Sequence, residues 1–564
     1  MTARSALLLL LATLAVSCKH ESPPAPQAAA ETPVAAPPTL LAEGTLSDPD
    51  AFWGRLRKGG SERGGTGGLA RLPETAAGVV LSWAGADPTL APLVSGTVPF
   101  QLALGDTAQG LGFALAMKLV DLHTVRQALV EAETAPYRAE EVDGMIRLRP
   151  RDGTPGRFAL AVSWSGYLVV ASSEAELAGL GAYAARTLPT KALPHASFEL
   201  RMEGDALARE GKQAPAFAAK VTTLLAAVAG QLLPPEVDAG AFAACFTPGL
   251  QDSIATAGDL AHARVDADST ESRLDVVATL EPKPGDNGAR RRLASMRPAD
   301  PAPLLESPGE AIAALFWSDT AQARTQDATT LGPCIGHALA PVLGAGGDAK
   351  LATAAASWAR GRGDWEVASF VAKPDVAGLV LRAPVADGAA ASASVRGFAD
   401  LTAQLSFADA LRRLLPDRAS AVETADVPRV GKASVVLFPT HPPVTHGQGD
   451  PAPDFPQLVP PGIAWVADGK EVDVGLGQSP KELLALVRPT VSLRANGPAA
   501  HAVEALGADV SFAAMIAPPG CCKGATPSAA PLMLGWGRRG NDGRATLAIG
   551  DELLGVVLAQ FMGQ

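Results

Sequence analysis

The sequence predicts an α+β protein whose body consists of two tandem copies of one module, with antiparallel sheets and helices packed on one face. Two segments of similar pattern, 158–177 and 463–483, suggest this organisation. In each, two runs of alternating apolar residues flank a short turn, which is typical of a β-hairpin. A helix start follows each hairpin, and this combination makes ferredoxin-like elements plausible in each copy.

The helix starts of the two segments have the same residue pattern. Ser173 is followed three residues later by Glu176, which is the spacing of a capping box. Ser479 is followed by Glu482 at the same spacing, with Pro480 at the first helical position, where its missing N–H costs nothing. These matches predict that the second segment repeats the first.

Three further pairs of segments occur in the same order and extend the repeat. The apolar run 77–83 matches 312–317 as a strand, and the strand 113–120 matches 379–385, each with an Asp before the next helix. The hairpin and helix of 260–296 match 532–561. We therefore predict copy 1 at 71–300 and copy 2 at 301–564, each long enough to fold around its own core.

The N-terminus predicts export. The apolar run 6–16 follows Arg4 and has the length of a signal-peptide core, whereas about 20 apolar residues are needed to span a bilayer. The sequence Leu14 to Cys18, "LAVSC", resembles the lipobox of bacterial lipoproteins, with Ala15 where that family usually has Leu. The resemblance implies a signal peptide at 1–17 and acylation of Cys18.

Lipidation of Cys18 has two implications. The acyl chains would hold the protein to a membrane, its first expected partner, because each buried methylene contributes roughly 0.8 kcal/mol. Lys19 stands where Asp would be the inner-membrane retention signal, so the resemblance implies the outer membrane and leaves the leaflet open. Residues 18–70 are rich in Pro, Ala and Gly and are predicted to form a tether, with one helical turn at 51–56 docked on the body.

Cysteine parity agrees with this interpretation. The chain has five cysteines, and an odd thiol is unfavourable in an oxidising compartment. Lipidation of Cys18 leaves Cys245, Cys334, Cys521 and Cys522, which we expect to form structural disulfides. A bond between the adjacent Cys521 and Cys522 would close a strained ring, so cross-links from that loop to Cys245 and to Cys334 are the favoured guess.

Two alternatives for these residues concern metals. Cys521 and Cys522 could form a soft-metal or thiol-redox site with Cys334 and His337. Two further histidines of one Pro/Gly-rich loop, His441 and His446, are weaker candidates for zinc or copper.

Other binding classes receive less support. The net charge of −11 argues against nucleic acid as a partner. Residues 535–540 match the GxGxxG string, but a hairpin turn follows where a dinucleotide site needs a helix N-terminus. Residues 215–233 are apolar yet contain Lys220, and a packed amphipathic helix with Leu224 on its buried face is predicted.

These observations favour a non-catalytic binding or scaffolding protein of the cell envelope, with an envelope protein as a possible partner. The sequence predicts no cofactor and no catalytic residue. The first alternative is a periplasmic metal-binding or thiol-redox protein that uses the Cys521–Cys522 loop. The second is an enzyme whose site is assembled only in three dimensions.

Overall fold

A computed structural model gives the fold of most of the chain. It describes residues 32–62, 72–86, 88–107, 110–133, 135–142, 144–151, 153, 157–212, 214–232, 237–270, 273–343, 345–373, 376–403, 422–437, 462–467, 469–477, 479–517, 531–550 and 553–554. The chain divides into two compact units. The first unit comprises Met1–Glu210, Gly258–Pro284 and Thr546–Gln564, and the second comprises Gly211–Ala257 and Gly285–Ala545.

The first unit is built on a set of ten described strands. They are β1 (Leu40–Leu46), β2 (Phe100–Thr107), β3 (Gly110–Lys118), β4 (Tyr137–Val142), β5 (Met145–Pro150), β6 (Ala159–Ser163), β7 (Tyr167–Ala171), β8 (Phe198–Glu203), β9 (Leu260–Ser269) and β10 (Arg273–Pro282). Their hydrogen-bonded order is β4-β5-β6-β7-β3-β2-β1-β8-β9-β10, with antiparallel neighbours.

A second set of ten described strands follows along the chain. They are β11 (Ala311–Ser318), β12 (Trp365–Ala372), β13 (Ala377–Pro384), β14 (Glu423–Val427), β15 (Gly431–Leu437), β16 (Gly462–Ala467), β17 (Glu471–Gly477), β18 (Val510–Ile516), β19 (Leu532–Arg539) and β20 (Asp542–Gly550). Their order is β14-β15-β16-β17-β13-β12-β11-β18-β19-β20, the same as in the first set.

Helices connect these strands at corresponding places. They are α1 (Pro49–Glu62), α2 (Ala76–Ala84), α3 (Leu122–Arg126), α4 (Glu174–Glu176), α5 (Gly204–Gly211), α6 (Ala214–Leu232), α7 (Ala239–Ala244), α8 (Thr247–Ala255), α9 (Gly288–Ser295), α10 (Ala321–Leu343), α11 (Gly347–Gly361), α12 (Gly388–Ala403), α13 (Pro480–Ala485) and α14 (Gly497–Leu506). Turns of π-helix continue α3 and α4, and short 3-10 segments occur elsewhere. No helix among the described residues has the length and apolar content needed to cross a membrane.

The strands of both sets are covered by helices on two faces, so the prediction of helices on one face was wrong. On β7, Leu168 and Val170 join a core that includes α1 and α2, whereas Val169 and Ala171 join a core that includes the turns after α4. In the second unit, α12 covers one face near β16, and α13 covers the other. The reason is visible in the run "LVVA" of β7, where consecutive apolar residues need burial on both sides.

The folded body begins earlier than the predicted tether allowed. Residues 40–62, assigned to the tether, form β1 and α1, and β1 pairs with both β2 and β8. Phe52, Trp53 and Leu56 of α1 are fully buried, which fixes this helix to the first unit. The apolar run 77–83, predicted as a strand, is helix α2, capped by Thr75 at the N–H of Gly78.

Several local predictions are confirmed. β6 and β7 form the first hairpin, β16 and β17 form the second, and Ser173 caps α4. Residues 535–540 continue β19 into the turn before β20, with Gly540 at a positive φ of 62°. This hairpin excludes the dinucleotide interpretation, because no helix N-terminus follows the glycines.

Candidate functional site

The second unit contains a layer of three helices close together in sequence, α6, α7 and α8, which we call the helical layer. Asp238 caps α7 by accepting hydrogen bonds from the N–H groups of Gly240 and Ala241, at 2.8 and 3.1 Å. The hydroxyls of Thr222 on α6 and Thr247 on α8 lie 2.8 Å apart. The cap stabilises the start of α7, and the hydroxyl contact joins α6 to α8.

A disulfide joins the helical layer to α10. Cys245, directly after α7, bonds Cys334, with 5.7 Å between their Cα atoms and 89 residues between them in sequence. Gly332 and Gly336 face α11, where added Cβ atoms would meet Ala355 and Asp348, and Cys334 between them is exposed. The small residues therefore pack α10 on α11 while Cys334 reaches the helical layer.

This bond corrects the predicted connectivity. Cys245 and Cys334 bond each other, so neither cross-links to the loop of Cys521 and Cys522, which lies outside the described residues. Sequence distance alone could not have indicated the pairing, because α7 and α10 come together only through the packing of the second unit. The bond also withdraws Cys334 from the soft-metal site, and exposed His337 has lost its predicted thiolate neighbour.

The remaining predicted site residues lie outside the described part of the chain. These are Cys18, Cys521, Cys522, His441 and His446. Among the described residues, no group of three or more His, Cys, Asp or Glu side chains is arranged to hold a metal ion.

The helical layer exposes several large apolar side chains. Leu224 is 55% exposed, Leu225 is 40% exposed and Phe246 is 37% exposed, whereas Ala218 and Ala229 are buried. The prediction that Leu224 lies on a packed face was therefore wrong. Alanines make the buried face of α6 because they allow close helix approach, and this leaves the leucines on the surface.

A cluster of charged residues is buried where β11, α10, α11 and β12 meet; we call it the arginine–carboxylate cluster. Arg324 donates to Asp319 at 2.7 Å, and Arg362 forms ion pairs with both Asp319 and Glu366, the latter at 3.1 Å. The Trp358 Nε1–H donates to Glu366 at 3.1 Å. Both arginines and Glu366 are buried, so the cluster connects the helices to the sheet from inside the fold.

Burial dominates the titration of this cluster. Glu366 is 3% exposed, and desolvation raises its pKa from 4.5 to about 7, although Arg362 and Trp358 act in the opposite direction. Burial and the nearby Asp319 charge also raise the pKa of Asp327. Glu366 can exchange a proton near neutral pH, but its burial keeps it from touching a molecule in solvent.

A second set of buried charges lies on the opposite face of the same sheet. Glu471 accepts from Arg382 at 2.5 Å and from Arg488 at 2.9 Å. Asp473 is 1% exposed, and its contact with Arg488 is a longer 3.4 Å. Burial raises the pKa of Asp473 to about 6, and within the described residues its Oδ1 has no hydrogen-bond partner.

The fold itself does not require these charges. The β1–β2 pair has a register shift at Leu40/Ala42, and the β11–β12 pair has one at Ala311/Ala313. When the two sets are aligned at these shifts, Phe100 of β2 occupies the position of Glu366, and Val169 of β7 occupies the position of Asp473. Phe100 and Val169 are both buried. Apolar residues fill these two positions in the first set, so a strand set of this order forms without charges there.

A partly exposed polar cluster lies near β1 in the first unit. The Tyr183 hydroxyl donates to Glu43 at 2.5 Å, and Lys191 forms an ion pair with the same carboxylate at 2.5 Å. Burial raises the pKa of Tyr183, with a further contribution from Glu43. The phenol therefore stays protonated and serves as a hydrogen-bond donor that positions Glu43.

Sequence reasoning missed both sets of buried charges. The available signal was a charged residue inside a strand of otherwise apolar residues, as for Glu366 in "WEVASFVA" and Asp473 in "EVDVGLG". In β17 the apolar residues Val472, Val474 and Leu476 alternate with other residues, a pattern that predicts Asp473 on the solvent-facing side of the strand. Glu140 and Glu141, by contrast, are exposed on the edge strand β4.

Comparison with known proteins identifies no relative, because no protein-family model, curated protein or solved structure matches this chain.

Proposed function

We propose that this chain is an exported protein, anchored to the outer membrane by acyl chains on Cys18, with a non-catalytic binding or scaffolding role in the cell envelope. The observation that carries the proposal is the Cys245–Cys334 disulfide. Disulfides persist in oxidising compartments such as the bacterial periplasm and are rare in the cytosol. Export through the predicted signal peptide would bring the chain to such a compartment.

The cysteine count gives further support. With Cys245 and Cys334 bonded and Cys18 acylated, two of the five cysteines are left, an even number. Cys521 and Cys522 would then pair with each other or stay reduced together. The proposal does not depend on which occurs.

The body of the protein would be a tandem duplication of one ten-stranded module. The identical order of β1–β10 and β11–β20 and the matching register shifts support this. In this proposal the second copy carries buried charges at two positions where the first has Phe100 and Val169. An experimental structure in which the two sets of strands fail to superimpose would contradict the duplication.

The binding role rests on the helical layer. It is an insertion between β8 and β9, and it exposes Leu224, Leu225 and Phe246 on a surface held by the disulfide. A stabilised apolar surface on an exported protein suits association with an envelope component.

The anchor is tested by replacing the acylated thiol. A Cys18→Ala variant, expressed in a bacterial host with labelled palmitate, should lose the label and leave the membrane fraction. Cys521→Ala serves as the matched control, because it removes a cysteine outside the proposed lipobox and should keep both properties. Retention of the label or of the membrane association by Cys18→Ala would refute the anchor.

A further inference from the structure

The exposed apolar face of α6 requires an explanation. Ala218 and Ala229 are buried on this helix, whereas the larger Leu224 and Leu225 are exposed to solvent. Phe246 extends this surface. It directly precedes Thr247, whose hydroxyl meets that of Thr222, three residues before Leu225 on α6. This contact brings Phe246 close in space to the part of α6 that carries Leu224 and Leu225.

The charge pattern of this segment differs from that of the whole chain. The chain has 58 acidic residues among 564, yet the stretch from Gly211 to Pro235 contains none. The same stretch has Lys212 and Lys220, and both are exposed. The exposed carboxylates of the helical layer, Asp238 and Asp252, lie outside this stretch. An exposed apolar helix with basic and no acidic side chains is the pattern of helices that lie in a membrane interface.

The residue types favour lipid over protein as the contact. Hot spots of protein–protein interfaces are enriched in Trp, Tyr and Arg. The segment 211–257 contains none of these three residue types, and its exposed large side chains are Leu and Phe. Leucine and phenylalanine bury favourably in acyl chains without needing a hydrogen-bonding partner.

We propose that the face of the helical layer formed by Leu224, Leu225 and Phe246 lies on the surface of the bilayer to which Cys18 is attached. This inference rests on the proposed lipid anchor. Between Cys18 and the first described residue, Thr32, the chain can span at most about 50 Å. That reach is about one domain diameter, so the anchor keeps the body next to the bilayer at all times.

The test measures vesicle binding without the acyl chains. The full chain bearing Cys18→Ala is mixed with vesicles of phosphatidylethanolamine and phosphatidylglycerol, and the floated fraction is measured. Adding Leu224→Ser and Leu225→Ser should lower the partition coefficient roughly tenfold, because two partly exposed leucines lose their apolar surface. Leu193→Ser is the matched control, since Leu193 is 59% exposed in the first unit and should not alter binding.

The folded state of each variant is checked by its Cys245–Cys334 bond in a non-reducing peptide map. An alanine pair replaces the serine pair if the latter does not fold. Equal flotation of the leucine variant and its control overturns the inference, as does failure of the unsubstituted Cys18→Ala chain to bind vesicles. Photocrosslinking from position 224 in intact envelopes to a protein, with no lipid adduct, also overturns it.

The palmitate label gives a separate readout of the anchor. If Cys18 carries no acyl chain while flotation still depends on Leu224 and Leu225, the anchor is refuted and the lipid contact stands. If the label is present and flotation does not depend on the leucines, the anchor stands and the lipid contact is refuted.

Discussion

Removing the Cys245–Cys334 disulfide should destabilise the second unit by a predictable amount. The perturbation is the double variant Cys245→Ser and Cys334→Ser, which leaves no unpaired thiol at this site. The bond closes a loop of 89 residues. In the chain-entropy model, a loop of this length restricts the unfolded state by about 4.6 kcal/mol. That value is an upper limit, because residual structure in the unfolded chain reduces the entropy that the bond removes.

The assay is urea unfolding of the full chain, followed by tryptophan fluorescence, with the oxidised wild type as reference. With a urea m-value of about 3 kcal/mol per molar, the loss corresponds to a midpoint lower by roughly 1.5 M. Trp358 and Trp365 lie in the second unit beside the arginine–carboxylate cluster and report on its unfolding. Because the chain has two units, two transitions are expected, and only one should move.

A matched control separates the bond from the loss of two sulfur atoms. Wild-type protein that has been reduced and alkylated should shift by a similar amount. Unchanged urea midpoints in the double variant would refute the entropic argument. A non-reducing peptide map that links Cys245 or Cys334 to the loop of Cys521 and Cys522 would refute the pairing itself.

Three further predictions concern the interior. Glu366 has a pKa of about 7 in the folded protein and 4.5 in the unfolded chain. Its contribution to the free energy of unfolding is therefore fully present below pH 4.5 and is lost as the pH rises through 7, by on the order of 3 kcal/mol. Glu366→Gln should abolish this decrease in urea titrations at pH 5 and pH 8, and a persisting slope would assign it to another group. Gly475→Ala places a Cβ 2.5 Å from the backbone of α13 and should cost about 1–3 kcal/mol, whereas Gly388→Ala, with 3.6 Å to its nearest neighbour, should not destabilise. Equal unfolding midpoints for these two variants would contradict the close approach of Gly475 to α13. Trp53→Ala should cost about 3–5 kcal/mol because Trp53 is fully buried, with Val120→Ala, 59% exposed, as control. An unchanged free energy of unfolding in Trp53→Ala would show that α1 does not pack on the body.

Much of the local structure was predictable because it depends on short-range patterns. The hairpins β6–β7 and β16–β17 follow from alternating apolar residues around a turn, and Asp121 and Ser173 mark helix starts that the structure confirms. The same rules failed for 77–83. Its run "AGVVLSW" has β-branched residues but no alternation, and the cap at Thr75 and packing on α1 favour helix α2.

The helical turn at 51–56 was expected to dock on the body, as α1 does, but strand β1 was missed for a different reason. Proline and glycine on either side of residues 40–62 gave the segment the composition of a tether, and composition averages conceal a single short strand. What places β1 in the sheet is its pairing with β2 and β8, which lie far along the chain. Three buried aromatic and aliphatic residues of α1 then hold the segment in place.

The sequence by itself determined the mixture of helices and strands, the hairpins, the caps at Asp121 and Ser173 and the pattern that predicts a lipid-anchored N-terminus. These features depend on residues within a few positions of one another, where backbone geometry and hydrophobic periodicity act directly. Only the tertiary structure decided which cysteines pair, which face of α6 meets solvent and which charges become buried. Each of those depends on segments distant in sequence, as Cys245 from Cys334 and Glu366 from Asp319, because burial and desolvation are properties of the assembled core.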